Sequence, residues 1–248
     1  MVGTCYTEPM NVGLTLRPVL FLLLLAPCLR AQAPPLPPLS TESPSQTLRE
    51  FEAKYQSATR LQATFLERYR ENGRVVRVES GDAYFLRPGK MRWDYQAPEK
   101  NTFLVDGKYV WFYSPADHTV TRMPSKQSDD WRTPLAFLTS HMKLSRLCPR
   151  IVAAPDEQPS LPDGVVYRCT LRNTAEHDSS AKAVLFELSP QAELNRIVIP
   201  QEGGIELEFS FKGWRWNPDL DKALFQFTPP RDVVIVNGLL PDTPGLRQ

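Results

Sequence analysis

The sequence predicts a mainly β protein, a barrel or one large curved sheet. Three observations predict it. Apolar and polar residues alternate with a period of two through most of the chain from Ala63 onward. The alternating runs are short and are separated by turn residues at near-regular spacing. Only two short segments carry a helical signature.

The first helical signature is Thr47-Leu48-Arg49-Glu50. Thr47 suits an N-cap and Glu50 the third helical position, a capping box. Leu48, Phe51, Tyr55 and Ala58 follow at helical spacing and form one apolar stripe. The strands begin after it. Phe85 alternates with Tyr84 and Leu86. Met91, Trp93 and Tyr95 share one face, with Arg92 and Asp94 on the other. Phe103-Leu104-Val105, Asp106-Gly107 and Lys108 to Tyr113 read as a hairpin, because Asp-Gly suits a type I′ turn. His118–Met123, Leu147–Ala153, Val165–Leu171, Ala183–Leu188, Leu194–Ile199 and Ile205–Phe211 are the later strands, for about eleven in all.

Lys108 to Tyr113 carries apolar or aromatic side chains on both faces, whereas antiparallel sheets usually keep one face wet. One face is expected in the core and the other lining a cavity. The second helical signature, Thr133-Pro134-Leu135-Ala136-Phe137-Leu138-Thr139-Ser140, sets a capping Thr before Pro at the first helical position. It is almost wholly apolar and must cover something or be covered. Trp214-Arg215-Trp216 lies near a turn and reads as a cover over a core edge.

The N-terminal part reads as an export signal. Arg17 precedes the apolar run Val19 to Ala26, too short to span a bilayer, and Ala31-Gln32-Ala33 offers a small-residue cleavage site. Met10 is the more natural start. Pro27 before Cys28 disfavours the alternative in which Cys28 is lipidated. Residues 34–46, rich in Pro and Ser, read as a flexible leader, and residues 238–248 as a flexible tail. The folded domain is therefore expected over 47–237.

Residues 1–33 hold two of the 29 basic and one of the 28 acidic residues, so the remainder balances. No basic stripe points to nucleic acid. Cys148 and Cys169 are the pair left after the signal and favour a disulfide in an oxidising compartment. The three histidines lack metal spacing, and no nucleophile elbow or phosphate loop occurs. Asp129-Asp130 reads as a solvated turn. The expectation is a binding protein without cofactor, metal or catalytic residues.

Two stretches carry a more specific signal. Arg87-Pro88-Gly89-Lys90-Met91-Arg92-Trp93-Asp94-Tyr95, followed by Val105-Asp106-Gly107-Lys108-Tyr109-Val110-Trp111-Phe112-Tyr113, resembles the central signature of the LolA family of periplasmic lipoprotein carriers. Asn217-Pro218-Asp219-Leu220-Asp221 and Leu224 to Pro230 resemble its C-terminal signature, and the helix at Thr133 its lid. The resemblance spans roughly Leu48 to Val236. It implies an unclosed antiparallel β-barrel with a helical lid, acting as a monomer. The implied function is a chaperone holding the acyl chains of lipoproteins and carrying them to the outer membrane. The implied partners are acylated lipoproteins, an inner-membrane lipoprotein-releasing ABC transporter and an outer-membrane receptor. Arg87 stands where the family's lid latch stands, and Met91 where a large residue faces the cavity. Met91, Trp93, Tyr95, Trp111, Tyr113, Leu135, Phe137 and Leu138 are accordingly the candidate lipid-binding residues. A second reading, a ligand-sensing envelope module of the same fold, calls for a membrane anchor or a further domain. A third, a lipid hydrolase, has no nucleophile to name.

Overall fold

A computed structural model describes residues 44–125, 138–139, 143–171 and 183–238. The first helix, α1 (Pro44–Ser57), precedes six strands: β1 (Arg60–Glu71), β2 (Arg74–Leu86), β3 (Lys90–Ala97), β4 (Thr102–Val105), β5 (Tyr109–Ser114) and β6 (Thr119–Pro124). A single-turn helix α2 (Leu144–Leu147) follows. Then come β7 (Arg150–Ala153), β8 (Val165–Thr170), β9 (Ala183–Leu188), β10 (Leu194–Pro200), β11 (Ile205–Trp216) and β12 (Val234–Asn237).

All twelve strands join one curved sheet in the order β12-β6-β5-β4-β3-β2-β1-β11-β10-β9-β8-β7. Its end strands β12 and β7 are not paired to each other, so the barrel is unclosed. Every neighbouring pair is antiparallel except β12 with β6. The sheet is long at its centre, where β1 runs against β2 and β11.

Alternation decides what faces inward. On β1, Leu61, Ala63, Phe65 and Tyr69 are buried in the main core, together with Phe85 on β2, Met91, Trp93 and Tyr95 on β3, and Phe209 and Phe211 on β11. Helix α1 lays Phe51 and Tyr55 against the β8–β11 half of this concave face. Phe51 stacks at 6.2 Å on Phe186, and Tyr55 meets Trp216 edge-on at 4.8 Å. Burying an aromatic of this size contributes about 1.5–3 kcal/mol.

A bulge on β11 explains how the two tryptophans reach this face. Pairing runs Thr64↔Lys212 and then Gln62↔Arg215, so β11 carries one extra residue, and Gly213 takes a positive φ of 64°. The extra residue flips the alternation. Trp214 and Trp216 then point inward beside Tyr55, where regular pairing would turn them out.

Several local expectations need correction. Helix α1 starts at Pro44, so Pro44 to Gln46 are its first turn and Thr47 is not its N-cap. Thr47 is buried, and its hydroxyl hydrogen-bonds the Tyr167 side chain. Leu147 ends α2 and does not begin a strand. The β4–β5 connection is not a type I′ turn. Gly107 has positive φ but Asp106 does not, and Asp106 Oδ1 instead accepts the N–H groups of Lys108 and Tyr109.

The double-sided strand β5 has a different cover from the one expected. Val110 and Phe112 face the concave core, while Trp111 packs with Leu104, Val120 and Phe225 in a second cluster on the convex face. The C-terminal segment supplies that cover. Asp221 caps a 3₁₀ turn at Lys222–Phe225, Arg92 Nη1 donates to the Leu224 carbonyl at 3.1 Å, and the Phe227 ring lies 5.3 Å from Trp111.

Candidate functional site

The site is built where the β2–β3 turn meets two other pieces of chain. Arg87 follows the last residue of β2 and is 8 % exposed. Its Nη1 donates to the carbonyl of Ala58 at 2.8 Å, just past the end of α1. Its Nε donates to the carbonyl of Leu138 at 3.2 Å. Two residues on, the Gly89 N–H donates to the carbonyl of Thr139 at 2.8 Å. Burial lowers the Arg87 guanidinium from its ordinary value. It remains a cation that binds neutral main-chain oxygens.

The same corner is fixed from the C-terminal side. Asn217, at a left-handed φ of 48°, accepts at Oδ1 from the N–H groups of Thr59 and Arg60 and from the Thr59 hydroxyl. Its own N–H donates to the Arg60 carbonyl. The Arg87 and Asn217 motifs, 130 residues apart, thus converge on the link between α1 and β1.

Leu138 is fully buried and belongs to the concave core. Of the segment Thr133 to Ser140, only Leu138 and Thr139 are described, and Leu135 and Phe137 lie outside the described residues. Further on, the Leu144 N–H donates to Glu52 Oε1 at 2.7 Å, which ties α2 to α1. Cys148, immediately after α2, is joined by a disulfide to Cys169 on β8, and both are buried.

The structure brings Met91, Trp93, Tyr95 and Leu138 together on the concave face with Phe65 and Phe85. Trp93 sits at its centre, edge-on to Phe65 at 4.7 Å and to Phe209 at 5.5 Å. It fills the space over Ala83 and Ala63, its level neighbours on β2 and β1. The structure does not bring Trp111 and Tyr113 there. Both project from the convex face, where Phe227 packs on each ring. Two residues on one strand separated by an odd number of positions lie on opposite faces, so Val110 and Trp111 could not both face inward.

Reading by type missed the polar end of the concave face. Glu67 and Glu79 are direct cross-strand partners and are buried, as is Tyr69, which stands opposite Arg77. Tyr95 Oη donates to Glu67 Oε2 at 2.9 Å. Gly81, the partner of Phe65 on β1 and of Tyr95 on β3, allows a close approach of β2 to β3 here, since a Cβ would collide with the Asp94 carbonyl. The signal was present in the spacing Ala63, Phe65, Glu67, Tyr69, which continues one face from apolar into polar residues.

Among the described residues no group of His, Cys, Asp and Glu is placed to hold a metal ion, and no helix is long and apolar enough to cross a membrane.

The chain is similar to known proteins over most of its length. The profile of the family described as outer membrane lipoprotein carrier protein LolA matches residues 56–228. An outer-membrane lipoprotein carrier protein of Nitrosomonas europaea is 30% identical over 229 residues, covering 88% of this chain and 98% of its own. That of Xylella fastidiosa is 27% identical over 164 residues, covering 66% and 74%. Among solved structures, a LolA superfamily protein of Nitrosomonas europaea matches with a TM-score of 0.41 at 10% identity, covering 74% of this chain and 97% of its own. The residues that build the Arg87 corner and the concave face fall within the matched span, and the chain belongs to the LolA family of outer-membrane lipoprotein carriers.

Proposed function

We propose that this chain is a periplasmic chaperone that shelters the acyl chains of lipoproteins on its concave face and carries them from the inner to the outer membrane. One observation carries the reading. The Leu138–Thr139 segment covers the apolar concave face, and polar bonds to the Arg87 turn hold it there. Such bonds exchange readily for water, so the cover can lift without unpairing a strand of the sheet.

The energetics suit a carrier. Each buried CH₂ contributes about 0.8 kcal/mol, so two or three acyl chains supply ample affinity. The harder step is release, and it needs a closed empty state that competes with the cargo. Arg87 supplies one, because its bond to Leu138 forms when the cover is down, while its bond to Ala58 keeps the guanidinium in place. Trp93, Met91 and Tyr95 line the face the chains would meet. Loading from an inner-membrane lipoprotein-releasing ABC transporter and delivery to an outer-membrane receptor complete the route, with residues 1–33 acting as a cleaved export signal.

The test is expression with its own leader in a Gram-negative host, purification from the periplasmic fraction, and mass spectrometry of what accompanies the chain. Acylated lipoproteins bound in near-stoichiometric amount support the reading. A chain that carries only free phospholipid, or that stays in the membrane fraction through an acylated Cys28, overturns it.

A further inference from the structure

We infer that the β1–β2 hairpin end of the concave face is a docking site for the ester carbonyls of an acylated cysteine, with Tyr69 and Arg77 as the donors. The inference rests on the carrier reading above and adds where on the face the polar part of the cargo sits.

The concave face changes character along the barrel. Near Arg87 it is wholly apolar, with Leu61, Ala63 and Phe65 on β1 and Phe85 and Ala83 on β2. Toward the hairpin the same rows carry Glu67, Tyr69, Glu79 and Arg77. Tyr69 and Arg77 are cross-strand partners and so share a face, and the guanidinium lies 5.4 Å over the Tyr69 ring. Tyr69 is 6 % exposed, yet among the described residues its hydroxyl has no hydrogen-bond partner. Arg77 Nη2 is likewise buried without one, while Nε lies 3.2 Å from Glu79 Oε2. Both groups can donate, and a buried donor left unpaired is costly.

The chemistry of the missing acceptor follows from the neighbours. A hydrocarbon chain has no acceptor to offer. An anion, whether a phosphate or a fatty-acid carboxylate, would meet the carboxyl groups of Glu79 and Glu67 on the same rows. A neutral carbonyl oxygen accepts from Tyr69 Oη and Arg77 Nη2 without that repulsion. Acylated cysteine carries two ester carbonyls and one amide carbonyl close together, with chains extending from them. Docked at this end, its chains run toward Trp93 and Phe85, where the face is apolar.

The experiment measures binding of two synthetic probes by tryptophan fluorescence. One is a dipalmitoyl-glyceryl-cysteinyl peptide, and the other is its dihexadecyl ether analogue, which lacks the ester carbonyls. Wild type is expected to bind the ester probe about tenfold more tightly. Tyr69→Phe should lower that preference to roughly threefold, and Tyr69→Phe with Arg77→Met should abolish it. Ether affinity should not change, which shows that the variants are folded and that the apolar face is intact. Equal binding of both probes by wild type, or a full preference retained in Tyr69→Phe, overturns the docking site while leaving the carrier reading in place. Binding of neither probe overturns both.

Discussion

Arg87 donates to the main-chain carbonyl of Leu138, 51 residues away, and this bond, with that of the Gly89 N–H to the Thr139 carbonyl, ties the β2–β3 turn to the Leu138–Thr139 segment. A second bond from the same guanidinium holds Ala58, so Arg87 belongs at once to the frame and to the cover.

Replacing Arg87 by Leu should leave loading intact and slow release. Charge-assisted hydrogen bonds are worth about 1.5–3 kcal/mol each, so losing the Leu138 bond shifts the open fraction about tenfold or more. Transfer of a bound lipoprotein to acceptor membranes should fall, with only a modest drop in melting temperature. Transfer at the wild-type rate with a normal melt would show that the bond does not govern closure.

Removing the convex-face anchor should cost stability and spare binding. Trp111→Ala leaves Phe227, Leu104 and Phe225 around a void and should destabilise by about 3–5 kcal/mol. Binding of an acylated peptide, measured below the melt, should be unchanged. A weakened affinity would place Trp111 at the ligand after all.

Glu187 gives the fold an acid-sensitive clasp. Burial pushes its carboxyl up, but the Ser160 and Leu161 N–H groups, the Ser160 hydroxyl and Arg196 outweigh it and hold it below its ordinary value. A carboxyl depressed by folding contributes stability above its unfolded pKa and loses it as pH falls through the folded pKa. Glu187→Gln should therefore lower the melting temperature by several degrees at pH 7. Its deficit against wild type should shrink as the pH drops below the usual carboxylate range. A deficit that stays constant with pH would mean that shape, not charge, holds the 154–164 loop.

The Cys148–Cys169 bridge spans 21 residues and should contribute on the order of 3 kcal/mol. The double Cys→Ala variant should melt several degrees lower, and the native oxidised chain should resist thiol alkylation. Ready labelling of both cysteines would refute the bridge.

Much of this architecture was legible in the residues. Met91, Trp93 and Tyr95 announce one buried face by strict alternation, and the resemblance of Arg87-Pro88-Gly89 to a family signature singled out the turn that bonds Leu138 and Thr139. Trp111 and Tyr113 were misplaced because alternation separates faces without saying what covers each. Their cover comes from Leu220 to Phe227, more than a hundred residues later. The inward turn of Trp214 depends on the Gly213 bulge, a one-residue register shift with no periodic signature. The polar end of the face was hidden because Glu67 and Glu79 look like ordinary surface carboxylates until the β1–β2 register sets them opposite each other inside the sheet.

The most direct test of the central claim compares two buried positions on opposite faces. Met91 is 7% exposed on the concave face and Trp111 8% exposed on the convex face. A photo-crosslinking aromatic amino acid is placed at each in turn, and the chain is expressed in the periplasm and irradiated. Adducts with lipoproteins should form at position 91 and not at 111, and should disappear when the lipoprotein's acylated cysteine is replaced by serine. Adducts at 111, or adducts at 91 that persist with the unacylated protein, would contradict the claim that the concave face holds the acyl chains.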